Sequence, residues 1–280
     1  MNYKLRTKKA FTLIELVTAV ALLALVLMFS GIIFKVSIES YRTASANVEI
    51  MQKLRVITEQ LNADFRELAK DGYLILHSEI ENNRREYLNS VPGSFRADRL
   101  YYFSTGDFQS WFNTNIRSNI ARIYFGHDSN SIADNSIPVS KWNLARDIVL
   151  LTPGVSRVDC DANSYAYYKA NPIVTETDAN NLLVNGVSVD MRLDTNNIRR
   201  LMCQNVGWMQ IEWTDAAKDP NSLLNWFPNP NTTSFPYKKL WTPATPKELW
   251  PRALKFTFTL YDSKNVIKGG RPFTHIVYLD

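Results

Sequence analysis

Side chains able to do chemistry are few and scattered along this chain. His77, His127 and His275 stand far apart in sequence, and no HExxH, GxSxG, P-loop or CxxC spacing accompanies them, so no hydrolytic, phosphoryl-transfer or redox centre is predicted. Asp159, Asp161 and Asn163 alternate oxygen ligands as a calcium loop would, but counting from Asp159 the required glycine and glutamate positions hold Ser164 and Ala170. No metal site and no cofactor are therefore predicted. Cys160 and Cys203 are the only cysteines, an even count that suits either one disulfide or two separate buried thiols. Six aromatic residues, Trp208, Trp213, Trp226, Phe227, Trp241 and Trp250, can line a binding surface, although anchoring of long loops in a core is the commoner use of such residues. Glu15 is the odd one out. It stands at the head of an apolar run, where an ionised carboxylate needs either headgroup water or a cationic partner.

The elements that must carry these residues follow from composition. With 280 residues, 45% apolar and 21% charged, and a slightly negative mean hydropathy, most of the chain is water-soluble globule. The formal charge of +5 is concentrated in residues 1–10, where Lys4, Arg6, Lys8 and Lys9 stand without an acid, and the rest balances at +1. No basic face is left for nucleic acid, so none is predicted as a partner. Between Glu15 and Lys35 lie nineteen uncharged residues, Leu16 to Phe34, spanning about 29 Å as a helix, the thickness of the hydrocarbon layer. Twelve of them are Leu, Ile, Val or Phe, favouring insertion by roughly 4 to 7 kcal/mol. A secretory signal has a shorter apolar region, so a membrane-spanning helix over residues 11–34 is the expectation. The basic flank keeps the amino terminus cytoplasmic and sends the remainder across the membrane.

The stretch KKAFTLIELVTAVALLALV resembles the amino-terminal segment of type IV pilins and of the pseudopilins of type II secretion. In that family a prepilin peptidase removes a short basic leader ahead of a Phe, the new amino group is N-methylated, and a Glu stands at the fifth mature position. The resemblance implies cleavage between Ala10 and Phe11, N-methylation of Phe11, and a role for Glu15 in subunit assembly, neutralising the amino terminus of the adjacent subunit. Ala10 departs from the usual glycine before the cut. It further implies a prepilin peptidase, other pilin or pseudopilin subunits, an inner-membrane assembly platform and membrane lipid as partners. Thr12 and the surface of Leu13, Leu16, Val17 and Val20 are expected to make helix contacts only.

Helical periodicity continues beyond the membrane. Met51, Leu54, Thr58, Leu61, Phe65 and Leu68 share one stripe, and no Pro interrupts residues 11–70, predicting a helix of about 90 Å whose second half the globule covers. Asp71-Gly72 is its expected stop. The end of this helix also resembles the larger minor members, the J-type pseudopilins and W-type minor pilins. Residues 71–280 read as β-rich, with strands at 74–77, 99–104, 120–125, 147–151, 207–213, 254–261 and 274–279, and long polar excursions at 126–146, 160–200 and 214–250. The predicted fold is α+β: a leader over 1–10, a long helix over 11–70 and an exported globule over 71–280, the helix packed on antiparallel sheet. A disulfide between Cys160 and Cys203 would close a loop of about 44 residues and stabilise by about 4 kcal/mol.

Two functions compete. One is a structural minor pilin or pseudopilin, assembled into a type IV pilus or a type II secretion pseudopilus near the tip or at initiation. The other is a membrane-anchored binding module, an adhesin or cargo receptor, on the same anchor; an enzyme is not expected.

Overall fold

The computed structural model describes residues 12–78, 96–128, 137–157, 159–170, 197–216, 224–228 and 237–279. Helix α1 runs unbroken over Leu13–Arg66, 54 residues or about 81 Å. The chain divides into two compact units, Met1–Val48 and Glu49–Asp280, with the boundary inside α1.

In the first unit every large apolar side chain from Leu13 to Phe34 is at least half exposed. Such a surface is stable only in lipid or against other helices. The helix is long and apolar enough to cross a membrane, and this transmembrane segment sits near the amino terminus. Gly31 does not break it.

In the second unit the strands are β1 (Leu74–Ser78), β2 (Arg99–Gln109), β3 (Arg117–His127), β4 (Asn143–Leu151), β5 (Cys160–Asp161), β6 (Leu201–Gln204), β7 (Val206–Thr214), β8 (Tyr237–Trp241), β9 (Ala253–Leu260) and β10 (Arg271–Tyr278), with a short helix α2 (Tyr165–Ala170) after β5. Among the described residues they form a seven-stranded sheet in the order β5-β4-β3-β2-β1-β8, with β6 also on β4, and a three-stranded sheet β10-β9-β7. Every pairing is antiparallel except the two-residue parallel contact of β5 with β4. The fold is α+β, as the sequence predicts, and each of the seven expected strands is present.

Period-two alternation sorts the large sheet into two faces. Leu74 and Leu76, Leu100 and Tyr102, Ile123 and Phe125 join the main core with α1 and the small sheet. Tyr73 and Ile75, Tyr101 and Phe103, and Tyr124 form a second aromatic layer on the opposite face, covered by Tyr168 of α2. On β9, Phe256, Phe258 and Leu260 are buried, and so is Thr259, whose methyl packs against the Gly270 backbone.

The expected stripe of α1 faces the core except at its first position: Leu61 and Phe65 are buried and Leu54 and Leu68 pack against them, whereas Met51 is exposed. Ile50 and Ile57 widen the stripe and are fully buried. The same face holds Asp64, which pairs across the interface. The Arg146 guanidinium donates to both Asp64 carboxylate oxygens at 2.7 and 2.6 Å, and the Tyr102 hydroxyl donates to one of them at 2.9 Å. Lys53 donates to the Tyr261 carbonyl at 2.8 Å, and Glu49 accepts from the Ser263 amide and hydroxyl at 2.8 and 3.0 Å. Helix and sheets are thus fastened by polar bonds at both ends of a dry contact.

α1 stops at Arg66, short of the expected Asp71-Gly72. The Ala69 amide donates to the Phe103 carbonyl and the Thr105 amide to Glu67, so the chain joins the sheet before it reaches the glycine. Gly72 is needed for close approach: a Cβ there would lie 2.8 Å from the Tyr165 hydroxyl.

β8 runs through the supposed excursion 214–250, and β5 and β6 flank 160–200. Among the expected aromatic anchors, Trp213, Trp241 and Trp250 are buried. Trp241 donates to the Leu249 carbonyl at 3.0 Å and packs edge-on to Trp213 at 5.1 Å, fixing both flanks of that segment. Trp208 and Trp226 are half-buried. Lys255 lies 4.6 Å over the Trp226 ring.

Candidate functional site

Ala10 and Phe11 lie outside the described residues. From Thr12 onward the start of α1 is built as a reciprocal cap. The Thr12 amide and hydroxyl donate to one Glu15 carboxylate oxygen at 2.8 and 2.9 Å, and the Glu15 amide donates back to the Thr12 hydroxyl at 3.3 Å. The Leu16 amide meets the Thr12 carbonyl at 3.2 Å, the first turn of the helix. This is the capping box that Thr-x-x-Glu ahead of an apolar run encodes. Thr12 thus caps the helix in addition to the helix contacts expected of it. A carboxylate at this position also faces the positive end of the helix dipole. Glu15 is exposed, and its second oxygen accepts no hydrogen bond among the described residues.

The remaining candidates lie in the globule and do not converge. Among the described residues no group of His, Cys, Asp and Glu is arranged to hold a metal ion. Asp159 and Asp161, suggestive of a calcium loop, are committed to other donors. The Asp159 carboxylate accepts from the Ser110 hydroxyl at 2.7 Å and from the amides of Trp111 and Phe112 at 3.0 and 3.3 Å. Burial pushes the Asp159 carboxyl up, but these donors outweigh it and hold it below its ordinary value. Asp161 accepts from the Tyr168 hydroxyl and from the Asn163 amide.

His77, His127 and His275 sit on three different strands. Burial, together with the positive charges of Arg99 and Lys238, pushes the His77 imidazole down to about 4. Burial does the same to His127, also to about 4, although its Nε2 contacts the Val206 and Gly207 carbonyls. His275 is lowered by burial and meets the Asn62 amide oxygen at 2.9 Å. All three are neutral packing residues at pH 7.

The two cysteines are buried free thiols and are not brought together. Both lie on strands pairing with β4, Cys160 opposite Leu150 and Cys203 opposite Leu144. Six residues along β4 separate these positions by about 20 Å, against the 4.4 to 6.8 Å between Cα atoms that a disulfide needs. Their polar neighbours suggested loops; two short edge strands hold them instead. Burial raises both thiols, Cys203 to about 11.

Comparison with known proteins finds the prokaryotic N-terminal methylation motif at residues 5–31, a match that spans the basic stub, Phe11, Glu15 and most of the apolar run. No curated protein and no solved structure matches the chain. The motif overlaps the start of the exposed apolar helix, so the chain carries a prokaryotic N-terminal methylation motif on a helix long and apolar enough to cross a membrane.

Proposed function

We propose that this chain is a minor pilin or pseudopilin, a structural subunit without catalytic activity of its own. Prepilin peptidase removes residues 1–10 by cutting between Ala10 and Phe11, and the new Phe11 amino group is methylated. Residues 11–34 hold the subunit in the inner membrane with its amino terminus cytoplasmic, and the globule over 71–280 is exported. The assembly platform then lifts it into a filament, near the tip or at initiation, where helices of neighbouring subunits replace lipid. The observation that carries this reading is the methylation motif at residues 5–31, in register with an acid at the fifth position of the cut chain.

In the filament Glu15 accepts the Phe11 ammonium of the adjacent subunit through the oxygen that the cap leaves open. Mass spectrometry of the mature protein tests the processing: N-methylated Phe11 is expected, and an intact Met1 in the assembled protein refutes it. Glu15→Ala is expected to insert normally and to be lost from sheared filaments or from crosslinked subunit ladders. Wild-type incorporation of that variant refutes the pairing while leaving the cleavage intact.

A further inference from the structure

The β2–β3 connection, residues 110–116, is a rigid loop. Besides the three donors that Asp159 accepts, the Ser110 hydroxyl takes the Asn113 amide at 3.0 Å, and Gln109 donates to the Thr114 carbonyl at 2.6 Å. The loop carries Trp111, half-buried, and Phe112, 56% exposed, with their rings edge-to-face at 6.0 Å. An arginine from a different element lies on each ring. Arg199, from the 3-10 turn before β6, is 5.1 Å over Trp111, and Arg157, from the β4–β5 connection, is 5.4 Å over Phe112. Both guanidiniums are exposed, and among the described residues neither pairs with a carboxylate. Of the described acids on the flanking elements, Asp107 bridges Arg117 at 3.1 Å and Asp159 is buried and accepts from the loop.

We propose that this aromatic–arginine pair of shelves is a binding site for an acidic segment of a partner protein. Each guanidinium, oriented by its ring, presents a fork of N–H donors to a carboxylate, and Phe112 offers its edge to an apolar side chain beside it. Trp, Phe and Arg on a rigid base are the composition of a protein-interface hot spot. A lipid surface fits less well, because a guanidinium lies over each ring and Asn113, Thr114 and Asn115 complete the tip, so that the exposed Phe112 ring is surrounded by polar groups. A long polyanion fits less well too, because the chain beyond its leader is nearly neutral. The site lies beyond the carboxyl end of α1: β2 passes Glu67 at Thr105 and runs about 16 Å further before Ser110. It does not depend on the cleavage or assembly of the amino-terminal segment.

The test is binding of the full chain, in detergent micelles, to a random glutamate–tyrosine copolymer, with dextran sulfate and phosphatidylglycerol vesicles as parallel probes. Arg157→Gln with Arg199→Gln is expected to weaken copolymer binding about tenfold or more, and Trp111→Ala with Phe112→Ala to do likewise. Replacing both arginines by lysine restores the charge but not the fork, and is expected to recover only part of the affinity. Tryptophan fluorescence checks that each variant is folded. Equal copolymer binding by the wild type and the double Gln variant overturns the site. Arginine-dependent binding stronger to vesicles or to dextran sulfate than to the copolymer overturns the class of partner.

Discussion

Asp64 is the side chain whose loss should tell most about how α1 is held to the sheet. It is 5% exposed, on a helix face otherwise made of Ile57, Leu61 and Phe65, and it neutralises an Arg146 that is itself largely buried. Asp64→Ala removes two charge-assisted hydrogen bonds from Arg146 and the acceptor of the Tyr102 hydroxyl. The mutant core then contains an unpaired guanidinium, a defect that costs about 3 to 5 kcal/mol. For a unit of this size each kcal/mol moves the melting temperature by roughly 2 to 4 °C, so a fall of about 10 °C is expected. Urea unfolding of the full chain in micelles, read by the buried Trp213, Trp241 and Trp250, measures it. Asp64→Leu with Arg146→Met should recover most of the loss, since a packed apolar pair is often as stable as the ion pair it replaces. A single-mutant loss below about 1 kcal/mol, or a double mutant no better than the single, would show that burial of the pair does not govern the contact.

Acid should loosen the globule through His77 and His127. Both are lowered to about 4 in the fold, against 6.5 for a free imidazole. A depressed base binds fewer protons folded than unfolded, so its stability is full above 6.5 and is lost as pH falls towards 4. The shift corresponds to about 3 kcal/mol for each. About 2 kcal/mol of this for each falls between pH 7 and pH 5, which urea midpoints at the two pH values should show, and His127→Gln should flatten the dependence. The thiols give a separate check: the unreduced chain is expected to release two titratable thiols in guanidinium and almost none when folded, because Cys160 and Cys203 are 3% and 8% exposed. Finding none after unfolding would mean that they are paired.

Much of this molecule is written in local patterns, and what escaped depends on partners distant in sequence. Residues 13–34 are apolar on nearly all sides, so neither their helix nor its exposed apolar surface needs tertiary information. Strand β9 shows its alternation in the residue types Phe256, Phe258 and Leu260, although Thr259 on the other face is also buried. The α1 stripe is legible from Leu54 to Leu68, but at its start Met51 and Ile50 are equally apolar, and only the sheet decides between them. Asp64 reads as a surface acid until Arg146 and Tyr102 arrive from β4 and β2. The parallel β4–β5 contact and strand β8 are too short for any period to show. Cys160 and Cys203 looked like a pair on count and compartment, and only strand register places them about 20 Å apart. The Thr12–Glu15 cap is local, and its Thr-x-x-Glu spacing is legible without any tertiary partner.

That cap lowers what an acid costs in an apolar setting. Thr12 already gives the Glu15 carboxylate two hydrogen bonds, one from its amide and one from its hydroxyl. A helix so built can rest in lipid with its acid served from within, and needs no cation from another molecule to stay there.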